Sequence, residues 1–181
     1  MASKIRQWHL LKGFREGDPK ACVTIVRTVY RFLLHLTGDA GAAEDLSQET
    51  LLAALKKLDD FRGGAFFMTW LHRIAYGKFI DSQRRGYRER VSRDALPNTS
   101  GDSAGMPGGP VASAVAGERC RLLYEALDEL ERPDRTAVIL HYFQKLSYSQ
   151  MSRVLGEPVG TVKWRTSEAL RKLKSSLDGR I

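Results

Sequence analysis

Apolar residues recur along this chain at intervals of three and four, and no segment alternates with the two-residue period of a strand bounded by turns. The spacing predicts helices at about 4–16, 19–37, 42–57 and 67–89, punctuated by Gly38-Asp39 and Gly63-Gly64. A second group is expected at about 118–131, 133–143, 148–155 and 158–177. Between the groups, residues 92–117 are rich in Gly, Ser, Pro and Ala and nearly free of large apolar side chains, so they cannot bury enough surface to fold alone. The expected architecture is all-α: two small helical domains, 1–91 and 118–181, joined by a flexible linker at 92–117.

Several boundary signals agree in "KLSYSQMSRVLGEPVG". Ser147 and Gln150 have the spacing of a capping box, with Leu146 and Met151 placed as a hydrophobic staple. Gly156 suits a left-handed helix stop and Pro158 the first turn of the next helix. Two helices separated by such a turn form a helix-turn-helix, whose second helix enters a DNA major groove. On that second helix, Val159, Val162, Thr166, Ala169, Leu170, Leu173 and Leu177 fall in one sector about 100° wide and are expected to face the core. Trp164 projects to the far side with Thr161, Glu168 and Arg171, flanked by Arg165 and Lys172. That polar face suits DNA: Thr161 for a base or phosphate, Lys163, Arg165, Arg171 and Lys172 for phosphates or guanine, and Glu168 for cytosine N4.

In the first half, "AAEDLSQETLLAALKKL" predicts a core stripe of Leu51, Leu52, Leu55 and Leu58. Leu46 then projects outward beside Asp45, Glu49 and Ala53, as an apolar anchor within a polar rim suited to a partner. The following "FRGGAFFMTWLHRIAYGKFIDSQRRGYRERVSR" interleaves aromatic and basic residues, a combination that serves unpaired bases and their phosphates. Phe67, Trp70, Leu71 and Ile74 have helical spacing and are expected in the core, which leaves the loop 62–66 as the better base contact. Arg84, Arg85, Arg88 and Arg90 are phosphate candidates.

Composition narrows the function classes. A hydrophobic share of 43% and a charged share of 28% call for a folded core, and the net charge of +8 favours a polyanionic partner. Two distant cysteines, Cys22 and Cys120, and four scattered histidines provide neither a disulfide framework nor a metal-ligand spacing, so no metal or cofactor is expected. No segment has the roughly 20 apolar residues of a membrane span, and the N-terminus lacks the apolar run of a signal peptide, so the expected location is the cytoplasm, without membrane contact.

The motifs "GAAEDLSQETLLAAL", "FMTWLHRIA", "SQRR" and "LSYSQMSRVLGEPVGTVKWR" stand in the order found in bacterial extracytoplasmic-function sigma factors, which the chain resembles over nearly its whole length. The resemblance implies a protein without catalytic activity that binds core RNA polymerase and promoter DNA, recognising and opening the −10 element with its first domain and binding the −35 element with its second. An anti-sigma factor is a further partner it implies. Asp45, Leu46 and Gln48, with Glu49, correspond to the polymerase-docking motif. Arg62, Gly63, Gly64 and Phe66 correspond to the loop that captures a flipped −10 base, followed by Arg73, Lys78, Arg84 and Arg85 on the next helix. Thr161, Lys163, Trp164, Arg165, Glu168 and Arg171 correspond to the −35 recognition helix. The chain departs from the family pattern at Gly77, where Asn is usual, at Trp164, where Ser is common, and at Glu168, often Arg. The competing reading is an autonomous helix-turn-helix regulator of duplex DNA, which has no need of Asp45-Leu46-x-Gln48.

Overall fold

The computed structural model describes residues 2–61, 63, 66–94 and 118–178, and all regular structure among them is helical. The N-terminal half comprises α1 (Ala2–Glu16), α2 (Pro19–Thr37), α3 (Ala40–Lys56) and α4 (Phe67–Asp94). The C-terminal half comprises α5 (Glu118–Asp128), α6 (Arg132–Val138), α7 (Tyr148–Leu155) and α8 (Val159–Leu177), with a π-helical turn at Ile139–Phe143 extending α6. Helix α4 runs three residues into the segment expected as linker, and residues 95–117 lie outside the described ones.

The caps follow from side-chain chemistry. Asp18 accepts from the Ala21 amide at 2.8 Å and Asp39 from the Ala42 amide at 2.6 Å, each satisfying a free donor of the first turn. Between them Gly38 ends α2 at φ 68°, so only two residues separate α2 from α3 and the helices pack side by side. Ser147 and Gln150 form the reciprocal capping box, and Gly156 ends α7 in the left-handed conformation. Leu146 and Met151 are both buried, as a staple requires.

Helix α3 corrects the expected core stripe. Its buried face is Ala43, Leu46, Ser47, Thr50 and Ala54, whereas Leu52 is 59% and Leu55 51% exposed. The Ser47 and Thr50 hydroxyls donate to the carbonyls of Ala43 and Leu46, so their burial leaves no polar group unmet. A face of small residues brings α3 close to α2 and α4, where leucines would hold them apart. On α8 the inward set is narrower than expected: Val162, Thr166, Ala169 and Leu173 are buried, while Val159 and Leu170 are exposed.

One apolar cluster runs through both halves. Ile25, Val29, Phe32, Leu33, Phe67, Leu71 and Ala75 meet Ile139, Leu140, Met151, Val154 and Val162. A smaller cluster of Ala126, Leu127, Leu130, Val138, Ala169 and Leu173 closes the C-terminal half on itself. Polar contacts also join the halves. Arg135 donates to the His35 carbonyl at 3.1 Å, the Gln150 amide to the Thr69 hydroxyl at 3.3 Å, and the Gln144 carboxamide faces His72 Nε2 at 3.2 Å. His72 is otherwise held by its Nδ1–H, which donates to the Met68 carbonyl at 2.6 Å, and burial keeps the ring neutral.

Candidate functional site

Leu46 is not the exposed anchor the spacing suggested: it is 4% exposed and belongs to the core. Asp45 and Gln48 do point to solvent, and with Leu52 and Leu55 they follow i, i+3, i+7, i+10, one stripe of α3 that is polar at its start and apolar at its end. Val23 and Val26 of the adjacent α2 are exposed as well. Glu49 sits off this stripe, 3.1 Å from Lys78 and 3.7 Å from Arg85, and ties α3 to α4. Leucine periodicity alone points Leu52 and Leu55 inward, whereas the structure exposes them. The competing signal was present in the three- and four-residue spacing of Ala43, Leu46, Ser47, Thr50 and Ala54.

The basic residues of α4 spread along its length. Arg73, Arg84 and Arg85 are exposed, Lys78 is half-buried, and Arg84 lies 3.9 Å from Asp81. In the preceding loop, Gly63 is exposed with φ 75° and Phe66 is half-buried, while Arg62 and Gly64 lie outside the described residues. Phe67 and Leu71 are buried as expected, but Trp70 and Ile74 keep part of their surface. The Trp70 ring is wedged 5.1 Å from Phe61 and 5.8 Å from Phe67.

On α8, Thr161, Lys163 and Trp164 form an outward face, with Trp164 66% exposed. Arg165 departs from expectation: it turns inward to Glu157, on the turn before α8, and so braces the helix-turn-helix. Glu168 and Arg171 form a two-point ion pair, at 2.6 and 3.0 Å, which holds the carboxyl below and the guanidinium above their ordinary pKa values. Lys172 is tied to Asp134 of α6 at 2.6 Å, which raises its pKa, and this ion pair clamps α8 to α6. The free groups of the outward face are therefore Thr161, Lys163 and Trp164, with the Glu168–Arg171 pair beside them. Among the described residues, no three His, Cys, Asp or Glu side chains are grouped to hold a metal ion, and no helix is long and apolar enough to cross a membrane.

Known proteins align with both halves. Residues 24–89 match the family model of sigma-70 region 2, and residues 120–173 that of sigma-70 region 4. The chain is 31% identical over 176 residues to the ECF RNA polymerase sigma factor SigW of Bacillus subtilis, an alignment covering 90% of this chain and 93% of that one. It is 34% identical over 152 residues to the ECF RNA polymerase sigma factor SigE of Mycolicibacterium smegmatis, covering 82% of this chain but 57% of that longer relative. Among solved structures, the sigma factor RpoE of Bartonella quintana, crystallised with the anti-sigma factor NepR, superposes with a TM-score of 0.72 at 26% identity, covering 90% of this chain and 97% of that one. With both sigma regions present in order and near-complete coverage of SigW, the chain belongs to the extracytoplasmic-function RNA polymerase sigma factors.

Proposed function

We propose that this sigma factor divides its work among three faces. The α3 stripe of Asp45, Gln48, Leu52 and Leu55 docks on core RNA polymerase, its two leucines supplying the apolar anchor and Leu46 holding the helix in place from below. The loop residues Arg62, Gly63, Gly64 and Phe66, together with Arg73, Lys78, Arg84 and Arg85, engage the −10 element, where cations follow the phosphates and bases are held unpaired. Thr161, Lys163 and Trp164 read the −35 element, assisted by Glu168 and Arg171, while Arg165 positions the helix through Glu157. No step of chemistry is required of the chain: binding energy for unpaired bases opens the promoter. Its place of action is the cytoplasm, with the polymerase. An anti-sigma factor, as captured with the Bartonella quintana relative, is its inhibitory partner.

The observation that supports this reading is the joint presence of an exposed stripe of Asp45, Gln48, Leu52 and Leu55 in the region 2 match and an exposed face of Thr161, Lys163 and Trp164 in the region 4 match. A free-standing regulator explains the second but not the first. In a pull-down with core polymerase, Leu52→Asp with Leu55→Asp should lower retention about tenfold, roughly 1.4 kcal/mol, without lowering the melting temperature. Leu46→Ala should instead cost about 2–5 kcal/mol of folding stability, as a buried leucine does. Retention unchanged by the double substitution would count against this docking face.

A further inference from the structure

The C-terminal half of α4 and the first turn of α6, one from each half of the chain, wall a cleft of about 580 Å³, within the range of sites that hold small ligands. On α4, Tyr76, Phe79, Ile80, Gln83, Tyr87 and Arg88 follow i, i+3, i+4, i+7, i+11 and i+12 and therefore share the face that lines it. Phe79 is buried, Tyr76, Ile80 and Gln83 are half-buried, and Tyr87 and Arg88 are exposed, so the lining grades along the helix from apolar to charged. The α6 wall is Arg132, exposed, with Pro133 and the buried Thr136, whose hydroxyl already donates to the Arg132 carbonyl at 2.8 Å.

Arginines line this cleft from both sides, and no acidic side chain does. Arg84 lies 3.9 Å from Asp81, whereas Arg88 and Arg132 have no ion-pair partner among the described residues. The Gln83 carboxamide likewise makes no hydrogen bond among them. Two free guanidinium groups brought together from different elements leave a positive potential that a phosphate neutralises, accepting from both forks at once. The aromatic and apolar part of the lining asks the same ligand for a flat, apolar body. Gln83 adds an edge that both donates and accepts, the complement of N6 and N7 of adenine. A simple fatty acid meets none of the last demand and has one charge for two arginines.

We propose that this cleft binds an adenine nucleotide with two or more phosphates, its base against Tyr76, Ile80 and Gln83 and its phosphates between Arg88 and Arg132. Because each half supplies one of the two arginines, the ligand favours the packed arrangement of the halves over a separated one. The test is calorimetric titration of the full chain with ADP, adenosine and inorganic pyrophosphate. ADP should bind about tenfold or more tightly than either of its parts. Arg88→Ala and Arg132→Ala, both exposed and so nearly neutral for folding, should each weaken ADP about tenfold. Gln83→Leu should weaken ADP and leave pyrophosphate unchanged. Saturating ADP should raise the melting temperature of the wild type and much less that of Arg132→Ala. Pyrophosphate binding as tightly as ADP would reduce the cleft to unspecific anion capture by a basic chain and overturn the proposal, as would an ADP affinity untouched by both arginine substitutions. Loss with Arg88→Ala but none with Arg132→Ala would overturn the bridge between the halves.

Discussion

At Trp164 a large aromatic side chain faces solvent, 66% exposed among the described residues, although burial is the default for such residues. Its neighbours Thr161 and Lys163 are equally free, whereas Arg165 and Lys172 are committed to Glu157 and Asp134. On the proposed reading of α8 as the recognition helix, the ring is expected to meet DNA and pack on a thymine methyl or a sugar edge. Trp164→Ser should weaken −35 binding about tenfold and redistribute base preference at one or two positions in a selection from randomised −35 DNA. Its melting temperature should stay within a degree or two. An unaltered selection profile would move the tryptophan's role to a protein partner. Leu46 makes the opposite case: its sequence neighbours are Asp45 and Ser47, yet it is buried, because the helix turns its small-residue face inward and takes Leu46 with it.

At the level of elements, the caps were the most legible part of the sequence. The chemistry of a cap is local, and the expected span of α7 coincides with the observed one because Ser147, Gln150 and Gly156 are sufficient to set it. Ser147→Ala should cost about 1 kcal/mol of stability, measurable by urea unfolding, since the Gln150 amide then loses its acceptor inside the chain. Binding to −35 DNA should fall less than with Trp164→Ser, because α8 keeps its own Glu157–Arg165 and Asp134–Lys172 ties. The orientation of α3 was not legible. Two stripes with helical spacing compete there, leucine against alanine, serine and threonine, and the winner depends on how close α2 and α4 approach.

Across the whole molecule, the two halves share a core, with two buried histidines at their junction. His35 stacks on Tyr124, tilts against Phe143 at 4.5 Å, and has its pKa lowered to about 4, by burial first and then by Arg31 and Arg135. His72 is lowered in the same direction by burial. The unfolded chain takes up these protons near pH 6.5, the folded chain only well below it, so the unfolded state binds more protons in between. Stability is therefore full above about pH 6.5 and falls as the pH drops toward 4. Melting curves between pH 7 and 5, above the main carboxylate range, should show the midpoint falling, and His35→Asn should flatten the fall. A wild-type midpoint independent of pH in that window would contradict the assignment. The shared core also bears on function. Elements at −10 and −35 lie about 25 base pairs apart, roughly 85 Å of duplex, and a compact chain of this length has a radius of gyration near 16 Å. The halves are expected to part to hold both, and residues 95–117, between the end of α4 and the start of α5, can span at most about 76 Å at about 3.3 Å per residue.

By itself the sequence determined the all-helical class, the caps, the helix-turn-helix and the exposed Trp164, because each depends on residues within one or two helical turns of each other. Tertiary structure alone decided which face of α3 lies inward, that Arg165, Lys172 and Glu49 are spent on ties between elements, and that Ala53 and Gly77 line one cleft between α3 and α4. Those features depend on distances between segments far apart in the chain. Helical periodicity orders positions around one axis and carries no information about what stands opposite.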